Sequence, residues 1–158
     1  MKESMTLARA AALFLAIGAM TCLGSIGARA ATCSVSATAL AFGVYNPFIA
    51  TPHDTTGTIT IACTGTPMVN AVVQLSAGGS GDQRARRMVS GSKILSYQVY
   101  TTAARTREWG NGSNSTDTVR ESVAANTSVS ISMHGRIPAR QSAMPGSYAD
   151  TIIVTVTY

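Results

Sequence analysis

The chain of 158 residues is poor in charge: 12% of it is Asp, Glu, Lys or Arg, and aromatic residues make up 6%. With two histidines and no C-x-x-C pair, a metal or dithiol redox site has few ligands to draw on. No serine sits in a G-x-S-x-G turn. Gly78, Gly79 and Gly81 neither open a helix nor precede Gly-Lys-Ser/Thr, which argues against a phosphate loop. The acidic residues are scattered over loops and offer no paired-carboxylate or Ser/His arrangement for a hydrolase. Long helix-period segments are missing as well. The expectation is a non-enzymatic protein that uses no cofactor and no metal.

What is present begins with an address. Lys2 and Arg9 precede an apolar run from Ala10 to Leu23, followed by Ala28-Arg29-Ala30, a small-x-small cleavage pattern. This reads as a cleaved signal peptide over 1–30, leaving a domain of 31–158. The run is short for a bilayer span and no second one of spanning length occurs, so stable membrane insertion is not expected. A lipoprotein reading through Cys22 fits poorly, because Met20 and Thr21 stand where small residues are required.

Removing Lys2, Arg9, Arg29 and Glu3 lowers the formal charge from +5 to +3, nine basic residues against six acidic. That balance calls for no nucleic-acid partner. Ser and Thr supply 33 of the 128 remaining residues, a composition that suits one all-β domain of short strands and many turns. Cys22 leaves with the leader, and Cys33 and Cys63 are expected to form one disulfide in an exported protein.

The end of the chain carries the plainest strand pattern. From Asp150 onward, Ile152, Val154, Val156 and Tyr158 fall on one face and Thr151, Thr155 and Thr157 on the other, with Ile153 the exception. With no later segment to pair with, one edge of such a strand is expected to be covered by an earlier strand, by a partner, or not at all. Earlier, Cys33, Val35 and Ala37 share a phase, as do Ile59, Ile61 and Cys63, so both cysteines point with the apolar residues of their strands. Leu40 to Tyr45 reads as a short strand and 49–56 as a loop. Further strands are expected at 69–75, 95–100 and 128–134, the last ending at Gly135-Arg136-Ile137-Pro138. About seven short strands point to a β-sandwich.

Several polar features favour ordinary roles. His134 lies on the serine face of its strand, and His53-Asp54 falls in a loop with no third partner suggested by spacing. Arg84, Arg86 and Arg87 form the one basic cluster, best read as a solvated turn. Asn111, Asn114 and Asn126 open N-x-S/T triplets, which matter only in a host that glycosylates them.

Taken together, Cys33-Ser-Val-Ser, Phe42-Gly43-x-Tyr45-x-Pro47, Gly57-x-Ile59-x-Ile61-x-Cys63-Thr, Arg87-Met88, Leu95-x-Tyr97-x-Val99-Tyr100, Trp109-Gly110, Gly135-Arg136-Ile137-Pro138 and Gly146-x-Tyr148-x-Asp150-Thr resemble the spore coat protein U domain. That family includes the Csu-type pilins of archaic chaperone-usher systems. The resemblance implies an immunoglobulin-like sandwich lacking its last strand, with a groove filled first by a periplasmic chaperone and then by a neighbouring subunit. On that basis Ile152, Val154, Val156 and Tyr158 would line an acceptor groove. The implied partners are the chaperone, an outer-membrane usher and other pilins, and the implied location is the periplasm in transit and then the cell surface. With cleavage after Ala30, only Ala31 and Thr32 precede Cys33, too few for a donor segment. A tip or minor subunit, or a self-contained coat or matrix protein that needs no usher, are the expectations that follow.

Overall fold

The computed structural model describes residues 30–65 and 67–158, so the expected leader lies outside the described residues apart from Ala30. Among the described residues there are nine strands, one 3-10 turn and no α-helix: β1 (Thr32–Ala37), β2 (His53–Thr64), β3 (Val69–Leu75), β4 (Arg87–Ser90), β5 (Lys93–Ser96), β6 (Gln98–Tyr100), β7 (Val119–Val123), β8 (Thr127–Ile137) and β9 (Val154–Thr157). They form a four-stranded sheet ordered β1-β2-β8-β6, a three-stranded sheet ordered β7-β3-β9, and the β4-β5 hairpin, all antiparallel. The chain is all-β, and its sheets pack as an immunoglobulin-like sandwich.

Period-two patterning explains which faces meet. Ile59, Ile61 and Cys63 of β2 and Ile131, Met133 and Ile137 of β8 face Val69, Ala71, Val73 and Leu75 of β3 across a buried core. The alternate, outward positions are largely Thr on β2 and Ser on β8, and Asn70, Val72 and Gln74 on β3. Cys33 pairs with Cys63 in register, and their disulfide fastens β1 to β2 with Cα atoms 4.1 Å apart. Closing a loop of 30 residues in this way contributes on the order of 3–4 kcal/mol through the unfolded chain.

Trp109 closes one side of the sandwich. Its indole is fully buried, its Nε1–H donates to Val73 O at 3.0 Å and its backbone N–H to Val99 O at 2.8 Å, tying β6 to β3. On the opposite side, no backbone ladder joins β1 to β9 among the described residues.

Four local readings of the sequence are corrected. The segment 40–45 is not a strand: it runs beside β2, but its contacts there use side chains, as in Thr55 Oγ1 donating to Ala41 O, so no backbone ladder forms. The loop expected over 49–56 ends at His53, because β2 gains a partner in β8 from His53↔Ile137 onward. For the same reason β8 continues through Gly135 to Ile137. The 95–100 strand breaks at Tyr97, where the chain leaves the hairpin with β4 and joins β8. β7 carries no apolar run long enough to announce it, since only Val119 and Val123 turn inward.

Candidate assembly groove

β9 is paired with β3 alone and β1 with β2 alone among the described residues, so both strands present a free edge on the same side of the sandwich. Their inward side chains are correspondingly undercovered. Val35, in phase with the core-facing Cys33, is 43% exposed, and Ile152, Val154 and Val156 pack against the core yet remain only half-buried. Between the edges lies a cavity of about 340 Å³. One wall runs from Ala37 to Leu40 and on to Phe42, the other is Asp150 to Ile152 with Val154, and Met88, Tyr97 and Met133 form the floor. A wider cleft of about 1010 Å³ continues from it, between 40–48 and 143–148, sharing Leu40, Phe42 and Met88.

Ile152 and Val154 line the cavity of about 340 Å³. Val156 packs against the core beside them. Tyr158 is 55% exposed, and its hydroxyl accepts the Cys33 N–H at 3.1 Å, bridging the gap at the disulfide end. The ladder of β9 begins at Val154 rather than Asp150; just before it, Ser76 N–H donates to Ile153 O at 3.0 Å and Ile153 N–H to Ser76 Oγ at 2.9 Å.

Patterning alone did not identify the second wall. Leu40 and Phe42 turn inward and lie over Gly57 and Gly135 of the four-stranded sheet, where a Cβ on Gly135 would come within 2.8 Å of the Phe42 ring. Those two glycines, in core phase on adjacent strands, were the available signal: they mark a hollow that another segment must fill. Phe42 then meets Tyr97 edge-on, with ring centroids 5.9 Å apart.

Asp150 holds the 150–154 wall in place. Its carboxylate accepts Tyr97 O–H at 2.7 Å, Gly79 N–H at 2.8 Å and Thr151 N–H at 2.8 Å. Gly78 allows this approach: its φ is +65° and a Cβ there would sit 2.1 Å from Asp150 Oδ2. Burial, and then the hydrogen bond to Asp150, push the Tyr97 phenol well above its ordinary pKa.

The basic cluster is not the solvated turn expected. Arg84 and Arg87 are exposed, but Arg86 is fully buried and donates to Ser76 O, Gln83 O, Gln98 Oε1 and Trp109 O at 2.7–3.2 Å. Its charge sits among aligned carbonyls, and burial lowers its pKa from the usual arginine value. His53 and Asp54 have structural partners. The His53 ring bonds Phe42 O, and Asp54 is held bidentately by Arg136 at 2.7 and 2.9 Å. His134 is half-buried, and burial followed by the charge of Arg105 lowers its pKa. Among the described residues no group of three or more His, Cys, Asp or Glu could hold a metal.

An all-β sandwich with one undercovered side, walled by its final strand, defines the class of protein. The family model of the Spore Coat Protein U domain matches residues 20–155, and the chain belongs to that family. It is 29% identical over 130 residues to "Protein U" of Myxococcus xanthus, covering 75% of this chain and 71% of that protein. A similar fold occurs in the crystal structure of the CsuC-CsuE chaperone-tip adhesion subunit pre-assembly complex from archaic chaperone-usher Csu pili of Acinetobacter baumannii. The match has a TM-score of 0.57 at 21% identity and covers 82% of this chain, which spans 40% of the length of the matched one.

Proposed function

We propose that the chain is a secreted, non-enzymatic structural subunit of a chaperone-usher fibre, completed by a strand supplied in trans. The observation that carries this is the open strip between β1 and β9, with Ile152 and Val154 along one wall and a cavity of about 340 Å³ between the edges. A strand lying there would find free backbone groups on both sides and apolar side chains beneath. Covering the exposed Val35 and the half-buried Ile152, Val154 and Val156 would stabilise the domain by up to about 1.5–3 kcal/mol for each side chain taken from exposure to full burial, comparable in sum to the stability of a small domain. The A. baumannii structure, a complex of a chaperone with a tip adhesion subunit, supports a periplasmic chaperone as first occupant and a neighbouring pilin as second. An outer-membrane usher would then deliver the subunit to the cell surface. With cleavage after Ala30, two residues precede Cys33, and the chain would accept a donor strand without providing one, as a tip or minor subunit.

A second reading has its own observation. Tyr158 bridges to Cys33 at one end and Leu40 and Phe42 fill part of the core side at the other, which supports a self-contained coat or matrix protein. Export of the full chain to a bacterial periplasm, with and without a cognate chaperone, separates the two. Soluble protein obtained only as a one-to-one complex supports the fibre subunit; a stable monomer accumulating alone overturns it in favour of the self-contained form.

A further inference from the structure

From residue 31 on, the chain has 15 charged side chains, and seven of them meet in one place. Arg84, Arg105, Arg107, Glu108 and Asp117 line a cleft of about 520 Å³ beside β6, the edge of the four-stranded sheet opposite β1. Asp54 and Arg136 join the network behind Arg105. In a protein so poor in charge, this concentration lies away from the groove and plays no part in the assembly reading.

The pairing within the cleft is uneven. Arg107 grips Asp117 through two nitrogens, while Arg84 reaches Glu108 through Nε alone, at 3.2 Å, and is largely exposed. Arg105 is the least satisfied of the three. Its side chain is 13% exposed, Nη1 donates to Ala103 O at 2.9 Å and stands 3.4 Å from Asp54, and Nε is buried with no hydrogen-bond partner. Its backbone is left-handed, with φ of +54°. The protein's own groups therefore do not saturate this guanidinium, which lines the cleft. Buried donors without acceptors are uncommon in folded proteins.

We propose that this cleft is a binding site for an acidic saccharide bearing a uronate carboxylate. The carboxylate fits between Arg84 and Arg105, where two guanidiniums retain donors and charge-assisted bonds are strong. Vicinal hydroxyls both donate and accept. They match the remaining lining, in which Glu108 and Asp117 accept and Thr106, Ser115 and Tyr100 do either. A saccharide also offers several hydroxyl donors on one ring beside its single carboxylate, a denser match to these acceptors than the spaced N–H groups of an extended acidic peptide. The three arginines against two acids leave the cleft one positive charge in excess, the complement of a single carboxylate.

The test uses the full exported chain in the form in which it purifies, with any co-purifying chaperone measured alone as a control. Titration calorimetry compares a galacturonate tetramer with the uncharged galactose tetramer. Binding of the acidic tetramer only, weakening as salt is raised, is expected. Arg84→Gln, a surface change that leaves the fold intact, and Arg105→Gln should each weaken it by about tenfold or more. Equal binding of both tetramers, full-strength binding by Arg84→Gln, or no binding by the unaltered chain would each overturn the assignment.

Discussion

The Tyr158 hydroxyl accepts the Cys33 amide hydrogen at 3.1 Å, across the gap between the two free edges. Cys33 lies on β1, whose even-numbered neighbour Thr38 donates its N–H toward β2 at Thr58 O, so the odd-numbered amides face the open side. One tyrosine therefore occupies, at the disulfide end, the place where an added strand would bond. Tyr158→Phe should leave the fold intact and release that amide. Hydrogen exchange at Cys33 is expected to accelerate by up to about tenfold, in keeping with a bond worth about 1 kcal/mol, while Ser34 stays unchanged.

Val154 offers a sharper test of the groove. Its side chain lines the cavity and its backbone pairs with Leu75. Val154→Asp would place an unpaired carboxylate under any inserted strand, at a cost of several kcal/mol, so chaperone capture should fall by roughly a hundredfold or more. Thr155→Asp, on the exposed face, should be captured normally. Pull-down of both variants with the chaperone decides the matter, and normal capture of Val154→Asp would refute the groove assignment.

Alkaline pH should loosen the wall that Asp150 anchors. The folded-state pKa of Tyr97 is raised by burial and by its bond to Asp150, whereas in the unfolded chain it titrates near its ordinary value of about 10. The stability it contributes is present in full below that value and is lost as pH rises above it. The denaturant midpoint of the wild type should therefore fall as pH increases beyond about 10, and fall less steeply in Tyr97→Phe.

Arg86 is expected to resist even conservative replacement. Four acceptors from four stretches of chain converge on its fork, and a lysine ammonium can satisfy only some of them. Arg86→Lys should destabilise the domain by about 3 kcal/mol or more, visible as a lower thermal midpoint and faster proteolysis near Trp109.

Much of this architecture was legible in the residues. Alternation marked β2, β3, β8 and β9 because one face of each is buried and the other wet, and the shared phase of Cys33 and Cys63 anticipated the bridge between β1 and β2. The sequence places Arg86 in a solvated turn, because a charged residue beside two exposed arginines looks like any basic turn. Its burial depends on carbonyls of Ser76, Gln83 and Trp109, which only folding brings together. Local apolar content points to a strand over Leu40 to Tyr45, whereas its place is decided by the hollow over Gly57 and Gly135.

Local order along the chain thus determined the all-β class, the faces of the principal strands, the disulfide partners and the inward set Ile152, Val154 and Val156, because those depend on neighbours one or two residues away. Tertiary structure decided which edges stay unpaired, that Leu40 and Phe42 form the second wall, and that seven charged side chains gather at one cleft. Edges, walls and clefts are relations between segments far apart in the chain, and period-two patterning carries no information about which distant segment a strand will lie beside.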